Sequence, residues 1–189
     1  MPPEALTPSS FQAPAIALYG VVNDTMYANF RTQLAATGDR DFIVIELSTL
    51  GGDPEVARMM GEDIRFASET SPDRRFVFLG KAAIYSAGTT FMSFFTRQNR
   101  YLTRGTRLMI HERKLAKDLR LDGPLTSCVA TVKAALNEIE CSIAIQNEGF
   151  RNLILGSKVT IDEVLRRAPS NWYLEADQAQ QMGLIEAVI

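Results

Sequence analysis

Hydrophobic positions along this chain fall into two patterns, short unbroken runs and longer stretches of helical spacing. "FIVIEL" (42–47) is a run of the first kind, the pattern of a strand covered on both faces, and "AIALYGVV" (15–22) and "RRFVFLG" (74–80) also read as strands. "RYL" (100–102) and "RLMIH" (107–111) predict two shorter strands. Between the first two runs, Asp24 stands where a cap belongs, ahead of a helix to about Thr37 that Gly38 stops. Asp53 as N-cap, with Pro54 at the first helical position, opens a second helix to about Ser68, and the segment from Ser86 predicts a third. Strands alternating with helices predict an α/β fold whose mostly parallel sheet is built from crossover units.

The second half reads mainly as helix. One long helix is predicted over about 124–148, between Asp122-Gly123-Pro124 and Gly149. Its apolar positions Leu125, Val129, Val132, Leu136, Ile139 and Ile143 step by four and three, a heptad-like seam. Packing on its own core and contact with another subunit both fit such a seam. Thr160 and Glu163 form a capping box for a short helix to Arg167. "EADQAQQM" (175–182) predicts a final helix ending at Gly183, and "LIEAVI" (184–189) a closing strand. Residues 1–13, rich in Pro and Ser, read as a flexible arm ahead of a single domain over 14–189.

Composition narrows the function classes. Twenty basic against twenty-two acidic residues give a charge of −2, with no positive excess for nucleic acid or an anionic membrane. The most apolar stretch, around 76–95, is broken by Lys81 and by Ser, Thr and Gly, so it predicts no membrane span. "MPPEALTPSSFQAPA" has neither the basic residue nor the early apolar run of a secretory leader. Cys128 and Cys141 lie thirteen apart in a predicted helix, too far to bridge, and read as reduced core thiols. A cytoplasmic protein with no metal and no organic cofactor is the expectation.

Candidate chemistry centres on "AIYSAGTT" (83–90) and on the single histidine, His111. A serine opening a helix is often a cap, and a lone histidine often structural. Here each follows a predicted strand, and strand C-termini are where parallel α/β sheets build their sites. A serine nucleophile needs a base and donors for an oxyanion. His111 supplies the first. Gly51-Gly52 allows close main-chain approach, so the N–H groups of Gly52 and Ala87 are candidate donors.

Taken in order, these segments resemble the proteolytic subunit of the Clp protease, within the Clp protease/crotonase fold. The resemblance runs from about Tyr19 to Ile185. "YGVVNDTMYANF" resembles the family's first strand and helix, and "LSTLGGDPEVARMMGEDIR" its Ser-Pro-Gly-Gly turn and following helix. "YSAGTTFMSFFTRQNRYLTRGTRLMIHE" resembles the nucleophile helix and the strand ending in the catalytic histidine, and "YLEADQAQQMGLIEAV" the closing helix and strand. The 25-residue interval from Ser86 to His111 fits the family spacing.

What the resemblance implies is a ClpP-like mostly parallel sheet from repeated ββα/βαβ units with a protruding long helix. Ser86 is then the nucleophile, His111 the general base and acid, and Gly52 and Ala87 the oxyanion donors. The third triad member falls on Asn171, where the family usually has Asp, which implies a slow or conditional triad unless Asp118, Asp122 or Asp162 takes the role. Implied partners are a peptide or unfolded protein as substrate, further copies of the chain in a homo-oligomer, and an AAA+ unfoldase. The opening segment matches no pore segment, and "ERKLAKDLRLDGP" (112–124) is charged where the family is Gly-rich. Gly80 to Ser86 is also two residues longer than the usual spacing, which implies a local shift at the elbow.

The alternatives are a catalytically weak assembly subunit, a crotonase-type acyl-CoA enzyme, which normally needs a carboxylate, and a Ser–Lys peptidase using Lys114, Lys117 or Lys133.

Overall fold

A computed structural model of the chain describes residues 6–189. The sheet runs in the order β1 (Ile16–Tyr19), β2 (Phe42–Thr49), β3 (Arg75–Tyr85), β4 (Arg100–Leu102), β7 (Ala187–Val188). β5 (Arg107–Ile110) and β6 (Trp172–Glu175) extend it from the far end of β3. All pairings are parallel except β5 with β6, so the sheet is mostly parallel, in a mixed α/β fold. β6 was not expected from sequence: Trp172 and Leu174 face inward while Tyr173 and Glu175 face out, an alternation too short to stand out.

β3 carries the site, and its register explains its length. On one edge it follows β2, but Leu47 pairs with Gly80 and Thr49 with Ile84, so four steps along β3 oppose two along β2. The two extra residues form a bulge at Ala82, whose φ is 57°. Before the bulge β3 pairs with β4, and after it with β5. The elbow serine and the strand that ends at His111 are thereby brought to one level.

Helices α1 (Asp24–Ala36), α2 (Pro54–Thr70) and α3 (Ala87–Met92) cover one sheet face. Phe30, Met60, Ile64 and Phe91 pack there against Ile43, Ile45 and Phe78 in one buried cluster. The cap of α1 is Asn23 rather than Asp24, its side chain accepting from the Met26 N–H at 2.9 Å. The opposite face holds a smaller cluster of Val44, Val77, Leu79 and Tyr101, closed by Phe11 from a 3₁₀ turn at Pro8–Phe11. Within the arm expected over 1–13, residues 1–5 lie outside the described residues, and the remainder is anchored by Phe11.

The remaining helices are α4 (Leu125–Ile154), α5 (Ile161–Arg167) and α6 (Ala176–Gln181). α4 continues past Gly149 because Phe150 and Leu153 bury themselves in the core, a tertiary gain that outweighs the glycine. Its N-terminal two-thirds stand clear. The seam Leu125, Val129, Val132, Leu136, Ile139 and Ile143 is between 41% and 83% exposed, so packing on the chain's own core is excluded. For the same reason Cys128 and Cys141 are free thiols but not core ones. Among the described residues no helix is long and apolar enough to cross a membrane.

Arg100 locks the end of α4 to the rest. Its side chain is buried, has no carboxylate partner among the described residues, and donates to the carbonyls of Ser93, Phe95, Asn152, Leu153 and Leu184. Burial, followed by the nearby Arg97 charge, lowers its pKa to about 10. Five carbonyl dipoles therefore stand in for a counter-ion.

Candidate active site

Ser86 stands between β3 and α3 with φ 55° and ψ −113°, a conformation rarely held by a residue with a Cβ. Its N–H donates to Met109 O at 3.0 Å, and its carbonyl accepts from Thr89 N at 2.9 Å and Thr90 N at 3.1 Å. The hydroxyl makes no capping bond to α3. It points instead at His111, with 2.6 Å between Oγ and Nε2.

His111 follows β5 and is half-buried. Burial lowers its pKa below the usual histidine value, the Lys114 charge adds to the shift, and Glu112 opposes it. A neutral imidazole with its proton on Nδ1 leaves Nε2 to accept the Ser86 O–H, the protonation state a general base needs.

The turn after β2 brings two glycines beside this pair. Gly51 (φ 114°) lies so close to Ser86 that a Cβ there would come within 2.9 Å of the serine Cβ. Gly52 (φ 148°) forms a one-residue parallel bridge with Val22, in which Val22 N donates to Gly51 O at 3.0 Å and Asp53 N to Val22 O at 2.8 Å. That pattern turns the Gly52 N–H away from Val22. Neither this N–H nor that of Ala87 reaches an acceptor among the described residues. The structure thus places two unspent main-chain donors in the two segments that flank the serine.

The third expected contact is not made. β5–β6 register pairs Ile110 with Trp172, which puts Asn171 level with His111. Asn171, however, adopts a left-handed conformation (φ 56°) after a 3₁₀ turn, its N–H spent on Ala168 O at 3.1 Å. Its side chain is exposed and bonds to nothing among the described residues, so His111 Nδ1 has no partner there. Of the other acids, Asp122 pairs with Arg120, Asp118 is exposed in the coil after His111, and Asp162 sits in the first turn of α5. Lys117 pairs with Glu138, and none of Lys114, Lys117 and Lys133 bonds to Ser86.

A cleft opens beside the Ser–His pair, between α3 and the C-terminal part of α4. Phe94, Ile110, Ile145, Phe150 and Leu153 give it an apolar wall, with Arg58 and Glu62 at the rim. The charged stretch after His111 is tied across it: Arg113 N–H donates to Gln146 Oε1 at 2.7 Å, and the Arg113 guanidinium pairs with Glu55 at 2.5 Å. Sequence reasoning missed these α4 residues and Thr89, because both lie on helices whose side chains it could not assign to a cleft.

No family model matches the chain, and no curated protein does. Among solved structures it is similar to a variant of ClpP1 from Listeria monocytogenes in which one asparagine is replaced by aspartate. The TM-score is 0.70 and the identity 19%, over 92% of this chain and 90% of that one. At that identity the likeness is one of architecture, and the chain has a ClpP-like fold.

Proposed function

We propose that this chain is a serine peptidase that cleaves peptides or unfolded proteins through an acyl-enzyme, with its described core over 14–189 acting as one domain. The observation that supports it most is the strained serine turned away from capping and onto the only histidine, at 2.6 Å. Ser86 Oγ attacks the scissile carbonyl while His111 Nε2 takes its proton. The carbonyl oxygen, now negative, accepts from the N–H groups of Gly52 and Ala87. His111 then gives the proton to the leaving amine, and water, activated by the same imidazole, releases the acyl group.

Asn171 is the third member in this reading, its carbonyl oxygen accepting from Nδ1–H once the side chain turns inward. An amide holds the ring but supplies no charge to the imidazolium, so turnover is slow. The exposed Asn171 and unpartnered Nδ1 favour a second reading, a subunit with weak catalysis whose main role is assembly.

The partner in either reading is a further copy of the chain. Positions 125 and 143, 129 and 139, and 132 and 136 are each equidistant from 134, so the exposed seam of α4 reads the same from both ends. Two such helices pair antiparallel about a two-fold axis level with Ala134. Free Cys128 and Cys141 suit a reducing compartment, the cytoplasm.

Hydrolysis of fluorogenic peptides tests the catalytic reading. Turnover in the native chain that disappears in both Ser86→Ala and His111→Ala supports it. Turnover equal to that of Ser86→Ala leaves only the assembly reading.

A further inference from the structure

Thr89, one turn into α3, is 5% exposed, and the mechanism above gives it no task. Its hydroxyl oxygen lies 2.9 Å from Ile84 O and 3.0 Å from Met109 O, one proton shared between two carbonyls. Ile84 is two residues before Ser86 on β3, and Met109 is two residues before His111 on β5. Met109 O also accepts the Ser86 N–H. A single hydroxyl therefore spans the ends of the two strands that deliver the reacting side chains.

The serine needs such a restraint. A residue with a Cβ at φ 55° and ψ −113° is strained and persists only where surrounding contacts over-determine it. Here the Ser86 main chain is held on both sides, by Met109 O and by the N–H groups of Thr89 and Thr90. Only Thr89 contributes to both restraints, through its N–H to Ser86 O and its hydroxyl to Met109 O. A threonine suits the place because its methyl fills buried space while its hydroxyl bonds back to main chain.

We propose that Thr89 is a positioning residue whose hydroxyl clamps the ends of β3 and β5 and so sets the hydrogen bond between Ser86 and His111. Its effect on rate rests on the peptidase reading, while its effect on geometry does not. His111 is the only histidine in the chain, so its imidazole nitrogen resonances are assigned without ambiguity.

The experiment reads His111 Nε2 by NMR in the full chain and in Ser86→Ala, Thr89→Val and Thr89→Ser, with fluorophosphonate labelling in parallel. Valine keeps the shape and removes the hydroxyl. Thr89→Val is expected to move the resonance at least half-way to its Ser86→Ala position and to slow labelling by up to about 100-fold. Peptide kcat falls with KM unchanged, and Thr89→Ser restores resonance and rate. A purely structural threonine lowers Tm but leaves the resonance of the folded protein in place, and that result overturns the proposal. If Thr89→Val does not fold, Thr89→Cys, a weaker donor of similar size, is read the same way. A shifted resonance in a chain that never labels upholds the clamp and refutes the peptidase.

Discussion

Replacing Gly52 with alanine perturbs the turn whose free N–H is the proposed oxyanion donor. The new Cβ would lie 2.2 Å from Val22 O, 2.7 Å from its N and 2.9 Å from its C, all main-chain atoms with little room to retreat. A residue with a Cβ at φ 148° also costs about 1–3 kcal/mol. Relief requires breaking the Val22 bridge, whose two hydrogen bonds are each worth about 1 kcal/mol net. The expected loss is about 3–5 kcal/mol, a large share of an ordinary domain's stability. Gly20→Ala is the control, since Gly20 (φ 96°) has the same conformational cost and nothing within 4 Å of its Cβ. Urea unfolding followed by fluorescence of Trp172, the only tryptophan and a buried one, measures both. Gly52→Ala should lose about 2 kcal/mol more than Gly20→Ala. Where it still folds, turnover should drop by about 10²–10³ through the misdirected N–H. Equal losses in the two variants, with turnover intact, would refute the close approach and the donor role together.

Four further outcomes follow from the same structure. Arg100→Met strands five carbonyls, four of them in buried hydrogen bonds, and should cost at least about 3 kcal/mol in urea unfolding, with Arg100→Lys recovering less than half; a loss under about 1 kcal/mol contradicts the lock. In the proposed mechanism only neutral His111 acts as base, so the labelling rate should rise with pH through a midpoint below the ordinary histidine value of 6.5. Lys114→Gln should move that midpoint up and Glu112→Gln move it down, and the reverse order would contradict the assigned causes. Asn171→Asp supplies the missing charge: peptide turnover should increase at least about tenfold, within the roughly 10⁴ that such an aspartate contributes elsewhere, and the His111 midpoint should rise. Unchanged turnover and midpoint would remove Asn171 from the site. Leu136→Asp puts a charge in the α4 seam and should reduce the mass seen by light scattering; an unchanged mass places the subunit contact elsewhere.

The candidate pair was legible because Ser86 and His111 each follow an apolar run, and a parallel sheet aligns the ends of such runs. Gly51-Gly52 was legible as a turn, but its reason for being glycine, the Val22 main chain against Gly52 and Ser86 against Gly51, exists only in three dimensions. The extra length between Gly80 and Ser86 was visible, and the bulge at Ala82 is how the fold absorbs it. Asn171 was found through resemblance, which aligns a position in the chain but not a side-chain direction. Its left-handed backbone is set by the preceding 3₁₀ turn, a local feature that spacing does not reveal. Arg100 and Thr89 were invisible for a common reason: each works by collecting carbonyls from segments distant in sequence, and carbonyls leave no trace in residue type.

The most direct test of the central claim is peptide mapping by mass spectrometry after exposure of the native chain to a fluorophosphonate. The account predicts one adduct, on Ser86, formed at a rate that collapses in His111→Ala. No adduct, an adduct on another serine, or labelling of Ser86 that is indifferent to His111→Ala would contradict it.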